Sequence, residues 1–306
     1  MNKIILTISN FRLVNVFKNF LIFLPLIFFN IFSNREIFFN DLSKLIFGFI
    51  IFTIMTSICY ATNEYTDRFR DRNNKLKKAK KNLNKQTVIF LNILLLLFIV
   101  FIYKFTIFFN FYLISYLFFF YLYNFFFKNF FLLDIILLVS FYNLRIFYGA
   151  EILNIPITYG FLLFFISIFI ILSIFKRMIQ ISANNIKSNK KNIIIYSYKN
   201  YPFFKKIIFF SSLLNIFIFV FYLYEIISQN TSGAFSSTGT IYNPNIIILL
   251  LAFILYIFWL IRLIKLVFNE KINKDIYLFI LKDKISQYFF LFQFVYICYS
   301  LNLLTF

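Results

Sequence analysis

The 306-residue chain has no histidine, which excludes imidazole metal sites and any catalytic triad built on a histidine base. Acid is scarce as well: eleven Asp plus Glu stand against thirty-one Lys plus Arg, a formal net charge of +20. The only cysteines, Cys59 and Cys298, both fall inside apolar runs. They have neither metal-ligand spacing nor disulfide logic, and read as lipid- or core-facing. Internal repeats are lacking, and so is any linker long enough to separate soluble domains. What the chain has in excess is hydrocarbon. It is 62% hydrophobic and 24% aromatic, with a mean hydropathy of +0.84. Soluble domains average about 45–50% apolar residues, so most of this surface must face lipid. On such a protein, strong basicity points to anionic lipid headgroups and phosphorylated substrates rather than to nucleic acid.

Apolar runs of spanning length recur at 12–33, 45–64, 87–107, 109–127, 131–150, 157–177, 205–227, 246–268 and 286–305. The third and fourth are split only by weak signals at Lys104 and Asn110, which makes eight the alternative to nine. Although Lys3 and Arg12 precede the first run, it is longer than a signal-peptide core and has no small-residue cleavage site, so it reads as a span. Charge decides between the counts. Segment 65–86 holds nine basic residues, 176–206 holds eight and no acid, and 262–284 holds six, while the intervening loops are poor. Basic loops stay on the cytoplasmic side. With nine spans, twenty-seven of the thirty-one basic residues fall there or at its border; merging two runs reverses the second half. The expected fold is an all-α, polytopic membrane bundle of nine transmembrane helices. It forms a single domain over residues 1–306, with its N-terminus cytoplasmic and its C-terminus outside.

One stretch at a membrane border goes against the general charge. In "NEYTDRFRD" (63–71), Asn63, Asp67 and Asp71 recur every four residues and share an arc of about 80° on a helix, with Glu64 beside the first. Carboxylates held this way suit Mg²⁺, which takes a few oxygen ligands and leaves room for substrate phosphates. A helix end whose acids pair with Arg68, Arg70 and Arg72 explains the same spacing. Lys75, Lys77, Lys78, Lys80 and Lys81 follow directly, and acids followed by point positive charges fit a diphosphate better than lipid alone. Other polar groups enter apolar runs, where a charge costs about 2.5–3.5 kcal/mol on insertion scales. Lys18 and Asn19 lie in the first and Lys128 just before the fifth. Asp134 and Arg145 lie within the fifth, nearly in register. Snorkelling accounts for Lys18 and Lys128 as well as function does. Arg145 is too deep for that and reads as part of a polar cavity. Lys176 and Arg177 close the sixth run, and Arg262 sits near the basic end of the eighth.

"NEYTDRFRD" resembles the Asn-Asp-x-x-Asp-x-x-x-Asp motif of the UbiA-type membrane prenyltransferase superfamily, with Glu64 where that motif usually has Asp. Prenyltransferases of this fold carry a second Asp-x-x-x-Asp motif after the sixth helix, whereas "KRMIQISANNIKSNKK" (176–191) has no acid. The chain is most similar to the decaprenyl-phosphate phosphoribosyltransferase branch, in which the sixth helix ends in Lys-Arg. "VFKNFLIFLPLIF" (16–28) is similar to that branch's entry helix. "YNFFFKNFFLLDIILLVSFYNLRIFYGA" (123–150) follows its Tyr, Lys, Asp, Leu-Arg and Gly positions as Tyr123, Lys128, Asp134, Arg145 and Gly149. "WLIRLIKLV" is similar to its eighth helix, and Gln180 stands where an acid is expected.

The resemblance implies an enzyme of the cytoplasmic face of a bacterial inner membrane. It would transfer a 5-phosphoribosyl group from phosphoribosyl diphosphate to polyprenyl phosphate, with Mg²⁺ as cofactor. Asn63, Glu64, Asp67 and Asp71 would hold the metal, with Asp67, Asp71, Lys77 and Lys78 as the catalytic set. Lys18, Asn19, Lys80, Tyr123, Lys128, Arg145, Lys176, Arg177 and Arg262 would bind the two substrates. An ionised phosphate acceptor needs no general base, so the absence of histidine costs this chemistry nothing. The alternatives are prenyl transfer from a prenyl diphosphate to an aromatic or other small acceptor, and a flippase for an anionic lipid.

Overall fold

The computed structural model describes residues 13–27, 39–71, 84–104, 110–185, 198–232, 244–272 and 276–300, and every regular element among them is a helix. In chain order the α-helices are α1 (Leu13–Asn19), α2 (Phe39–Asp71), α3 (Lys85–Ile102), α4 (Phe111–Phe125) and α5 (Leu133–Leu153). They continue as α6 (Tyr159–Asn185), α7 (Tyr201–Ser232), α8 (Pro244–Phe268), α9 (Ile276–Lys282) and α10 (Lys284–Ser300). Six of them, α2, α3 and α5 to α8, contain stretches long and apolar enough to cross a membrane. The first, fourth and ninth apolar runs fall on shorter helical segments: Val16–Ile27, Phe111–Phe125 and α10. Asn110 divides the third run from the fourth. Its side chain accepts from the Leu113 amide at 3.2 Å, an N-cap that starts α4 afresh. The helix carrying the acidic stripe runs past the expected boundary at residue 64, so Asn63 to Asp71 share one continuous helix.

By packing, the chain divides into two compact units. Met1–Leu26 with Phe38–Pro156 form the first, and Ile27–Ile37 with Ile157–Phe306 form the second. In the first, α5 is the hub. Of its span, 61% is buried against 17% for α3, which presents Leu96, Leu97 and Val100 outward as a lipid-facing surface. An aromatic layer joins α5 to its neighbours: Phe52 of α2 meets Tyr116 of α4 and Tyr148 of α5 at 4.9 and 5.1 Å, and Tyr116 meets Phe141 at 5.1 Å. The outer helix α3 is tied in by a polar bridge. Asn92 donates to Thr62 of α2 at 3.0 Å and accepts from the Tyr121 hydroxyl of α4 at 2.6 Å.

The entry segment is not a regular α-helix, for a reason visible in its sequence. Pro25 lacks an amide proton, and its ring would press on the carbonyl four residues back. After Asn19 the chain tightens into a 3₁₀ turn over Phe20–Phe23, and the Leu24 amide bonds to the Leu21 carbonyl. That turn lies directly on α5 at Gly149. A Cβ added there would run into the Ile22 carbonyl oxygen, a backbone atom that cannot swing aside. In the second unit, α6 and α7 are joined inside by Asn215, which donates to the Ser167 hydroxyl at 2.6 Å and to the Phe164 carbonyl at 3.3 Å. Phe219 of α7 stacks on Phe253 of α8 at 3.5 Å.

Gly149→Ala is therefore expected to cost on the order of 1–3 kcal/mol through overpacking. Gly48→Ala is expected to cost less, because its added Cβ clashes only with the movable end of the Ile152 side chain and makes ordinary contact with Tyr148. Thermal unfolding of the two detergent-solubilised variants checks this ranking, and equal losses contradict it.

Candidate functional site

One face of α2 carries polar groups along an otherwise apolar helix. Thr53, Thr56, Tyr60, Asn63 and Asp67 follow one another at intervals of three and four residues, the spacing that keeps side chains on one face. From Thr56 to Asp67 this seam runs about 16 Å along the axis. Two clusters of partners meet it, one at each end.

At the first end lies Arg145, which is 1% exposed. Its Nε donates to Asn19 Oδ1 at 2.9 Å, and one terminal nitrogen donates to the Phe141 carbonyl of its own helix. The other terminal nitrogen donates to the hydroxyls of Tyr60 and Tyr116 at 3.1 and 3.0 Å. Asn19, also 1% exposed, turns its amide nitrogen to Thr53 and Thr56 of α2 at 3.1 and 3.0 Å. The rings of Phe52, Tyr116 and Tyr142 lie 5.0–5.8 Å from the guanidinium carbon, close enough for cation–π attraction. Every hydrogen-bond acceptor here is neutral. Asp134, buried in the first turn of α5, is not among them, so the near-register of Asp134 with Arg145 along α5 does not translate into a pair. Lys18 stands 6.0 Å over the Tyr60 ring and brings a second cation to the seam.

At the second end, Asn63 and Asp67 aim oxygens at one point, and the Lys128 ammonium fills it. Lys128 Nζ donates to Asn63 Oδ1 at 2.6 Å and forms a short ion pair with Asp67 Oδ2. Lys128 reaches the seam from the 3₁₀ turn Phe127–Asn129 that closes α4, and its Nζ lies 5.6 Å over the face of Tyr123. Both charged side chains are largely buried, at 14% and 11% exposure, and buried charges persist when they are paired. Glu64 lies one position round the helix and is half-buried.

The oxygens of Asn63 and Asp67 are hard donors converging on a cation, which fits the chemistry expected of a Mg²⁺ ligand set. Among the described residues no three acidic or cysteine side chains gather as a metal site. The side chain of Asp71 and all of Lys77, Lys78 and Lys80 lie outside the described residues.

The first unit thus brings together Lys18, Asn19, Asn63, Asp67, Tyr123, Lys128 and Arg145. Sequence reasoning missed Thr53, Thr56, Tyr60 and Tyr116. The three on α2 had a signal in their spacing, which continues the Asn63–Asp67 interval backwards into the apolar run. Tyr116 had none, one tyrosine among twenty-one.

The remaining candidates belong to the second unit. Arg177 of α6 is buried and donates to Gln180 Oε1 at 2.6 Å, with Lys176 half-buried beside it. Arg262 of α8, expected among the substrate-binding residues, has both of its arms occupied. Its terminal nitrogens donate to the two oxygens of Asp283 at 2.7 Å each. Asp283 also caps α10, accepting from the Ser286 amide at 2.9 Å and hydroxyl at 2.7 Å, while the Trp259 indole donates to that hydroxyl at 3.0 Å. The Arg262 hydrogen bonds foremost, and then those of Ser286, hold the Asp283 carboxyl below its ordinary range against the opposing effect of desolvation.

No family model and no curated protein matches this chain.

Two outcomes follow from these pairs. Asp67→Asn and Lys128→Met are expected to couple by about 0.5–3 kcal/mol in a double-mutant cycle of unfolding. Strictly additive losses would mean that the two side chains do not meet. The lowered Asp283 carboxyl contributes stability that is complete above the unfolded aspartate value of about 3.9 and is lost as pH falls through its lower folded value. Asp283→Asn is expected to flatten that acid limb, read from melting temperatures between neutral pH and pH 3. An unchanged limb would assign the acid sensitivity elsewhere.

Proposed function

We propose that this chain is a Mg²⁺-dependent membrane transferase of the UbiA type that moves a 5-phosphoribosyl group from phosphoribosyl diphosphate to polyprenyl phosphate. The observation that carries the reading is the convergence of Asn63 and Asp67 oxygens on a single cation position in the first unit. Support also comes from the surroundings of that point: Lys18 and Arg145 along the same seam, and Tyr123 under the ammonium. The reading takes the bundle as nine spans with a cytoplasmic N-terminus, so that the end of α2 and the lysines after it face the soluble donor. The six long apolar helices support a helical membrane bundle, and the distribution of basic loops is the ground for the orientation.

In this reaction an oxygen of the polyprenyl phosphate attacks C1 of the ribosyl unit. The bond from C1 to the diphosphate oxygen breaks, and pyrophosphate leaves with the electron pair. Asn63 and Asp67, together with Glu64 and Asp71 of the same motif, would hold the metal. Mg²⁺, when bound, supplies the positive charge that stabilises the departing pyrophosphate. Lys128 moves its ammonium from Asp67 to a phosphate oxygen as the donor arrives. Lys77, Lys78 and Lys80, which follow the end of α2 in sequence, neutralise the same group. Arg145 holds the Tyr60 hydroxyl and Lys18 stands over the Tyr60 ring, which offers a position for the acceptor phosphate. Arg262 is committed to Asp283 and takes no part in this scheme. The absence of acid from 176–191 weighs against a second metal cluster, and so against prenyl transfer.

Purified protein incubated with Mg²⁺, labelled phosphoribosyl diphosphate and polyprenyl phosphate is expected to form lipid-linked phosphoribose. Asp67→Asn is expected to lower the rate about 10²–10³-fold. Product from a prenyl diphosphate and a small acceptor instead would replace this reading with prenyl transfer, and equal activity in the variant would remove the metal assignment.

A further inference from the structure

The C-terminal third of α8 presents a stripe with no role in the reaction above. Phe258, Ile261, Lys265 and Asn269, spaced three, four and four residues apart, line one side of an open hollow of about 460 Å³ with Arg262 and Leu266 beside them. The stripe changes character along its length. Phe258 and Ile261 are 68% and 43% exposed, on a part of the helix apolar enough to lie within a bilayer. Lys265 and Asn269 stand where that apolar stretch, Leu250–Phe268, runs out.

Lys271 completes the cationic end, and the backbone explains how. Glu270 takes a left-handed conformation at φ 53°. The Glu270 amide bonds back to the Val267 carbonyl and the Lys271 amide to Leu266, both at 3.0 Å. This helix-terminating turn folds the chain back on itself and sets Lys271 beside the end of its own helix. Arg262 is neutralised by Asp283, whereas Lys265 and Lys271 form no ion pair among the described residues. Two uncompensated ammonium groups and a carboxamide therefore border an apolar channel at the point where a bilayer changes from hydrocarbon to headgroup.

We infer that this hollow seats an anionic membrane phospholipid, with its phosphate between Lys265 and Lys271, its glycerol region at Asn269 and an acyl chain along Phe258 and Ile261. Charge selects the ligand. A zwitterionic headgroup brings its own cation towards the lysines, whereas a net negative one does not. The gradient from apolar to cationic along one stripe matches a molecule whose tail and phosphate are covalently joined, so a free phosphate meets only half of the site. The volume lies within the range of about 300–1,000 Å³ typical of small-ligand pockets and suits a headgroup with the start of one chain. The seat uses none of the residues assigned to phosphoribosyl transfer and stands independently of that reading.

Native mass spectrometry of the full chain in mild detergent, titrated with phosphatidylglycerol or with phosphatidylcholine of the same acyl chains, tests the seat. Wild type is expected to retain phosphatidylglycerol at concentrations roughly tenfold to thirtyfold lower than phosphatidylcholine, the scale of two lysines near a membrane surface. The double variant Lys265→Gln with Lys271→Gln is expected to lose this preference. Lys284→Gln, an exposed lysine off the hollow, is expected to keep it. Excess glycerol phosphate is expected not to displace the lipid. Equal retention of the two lipids would overturn the proposal, as would a preference that survives the double variant. Displacement by glycerol phosphate would overturn it as well.

Discussion

A guanidinium taken out of water needs an oxygen for nearly every N–H it carries, and Arg145 draws its oxygens from four helices. Asn19 comes from α1, Tyr60 from α2, Tyr116 from α4 and the Phe141 carbonyl from α5 itself. Leaving a buried charge short of partners costs several kcal/mol, so these helices are held to positions from which each oxygen reaches it. The surrounding packing meets the same demand. Gly149 lets the Ile22 backbone come close enough for Asn19 to approach, and the 3₁₀ turn ahead of Pro25 turns the entry segment onto α5. The placement of Tyr60 fixes the rotation of α2, and with it the direction in which Asn63 and Asp67 point one and two turns further on.

The two units manage their buried charges differently. In the first, a charged pair and a lone guanidinium line one seam on α2, and the acceptors around Arg145 are all neutral. The guanidinium charge at that end of the seam is thus balanced by dipoles and aromatic faces rather than by a carboxylate. In the second, Asp283 meets Arg262 with both oxygens and caps α10 at the same time, so a cation that looked available for a ligand is consumed in holding α8 to α10. A bidentate arginine is as suited to a carboxylate as to a phosphate, and local geometry alone decides which one it gets.

Hydrophobic runs revealed the helical membrane bundle because length and apolarity are the only requirements a span must meet. Ends were less legible. The 45–64 run underestimated α2 because residues 65–71 are polar, and a helix leaving a membrane goes on as long as its backbone bonds are satisfied. The convergence of Asn63, Asp67 and Lys128 was legible in part. The four-residue interval places the first two on one face, but no spacing rule links residue 67 to residue 128. Tyr116 lay beyond reach, since a hydroxyl that supports a distant guanidinium looks like any other tyrosine in an aromatic-rich helix. Arg262 misled for the opposite reason. Its position near a basic loop suggested a free cation, while its partner lay 21 residues on, past a helix break.

The direction of the Arg145 contacts along the chain bears on how the protein is made. All four of its acceptors precede it in sequence, so they leave the ribosome first. At about 5–20 residues per second, Asn19 waits several seconds or more for the arginine 126 positions later. During that time α1, α2 and α4 have their polar groups but not the charge that gathers them. The polar contacts of the first unit are therefore completed from its C-terminal side, and a single late residue supplies the charge that the earlier helices share.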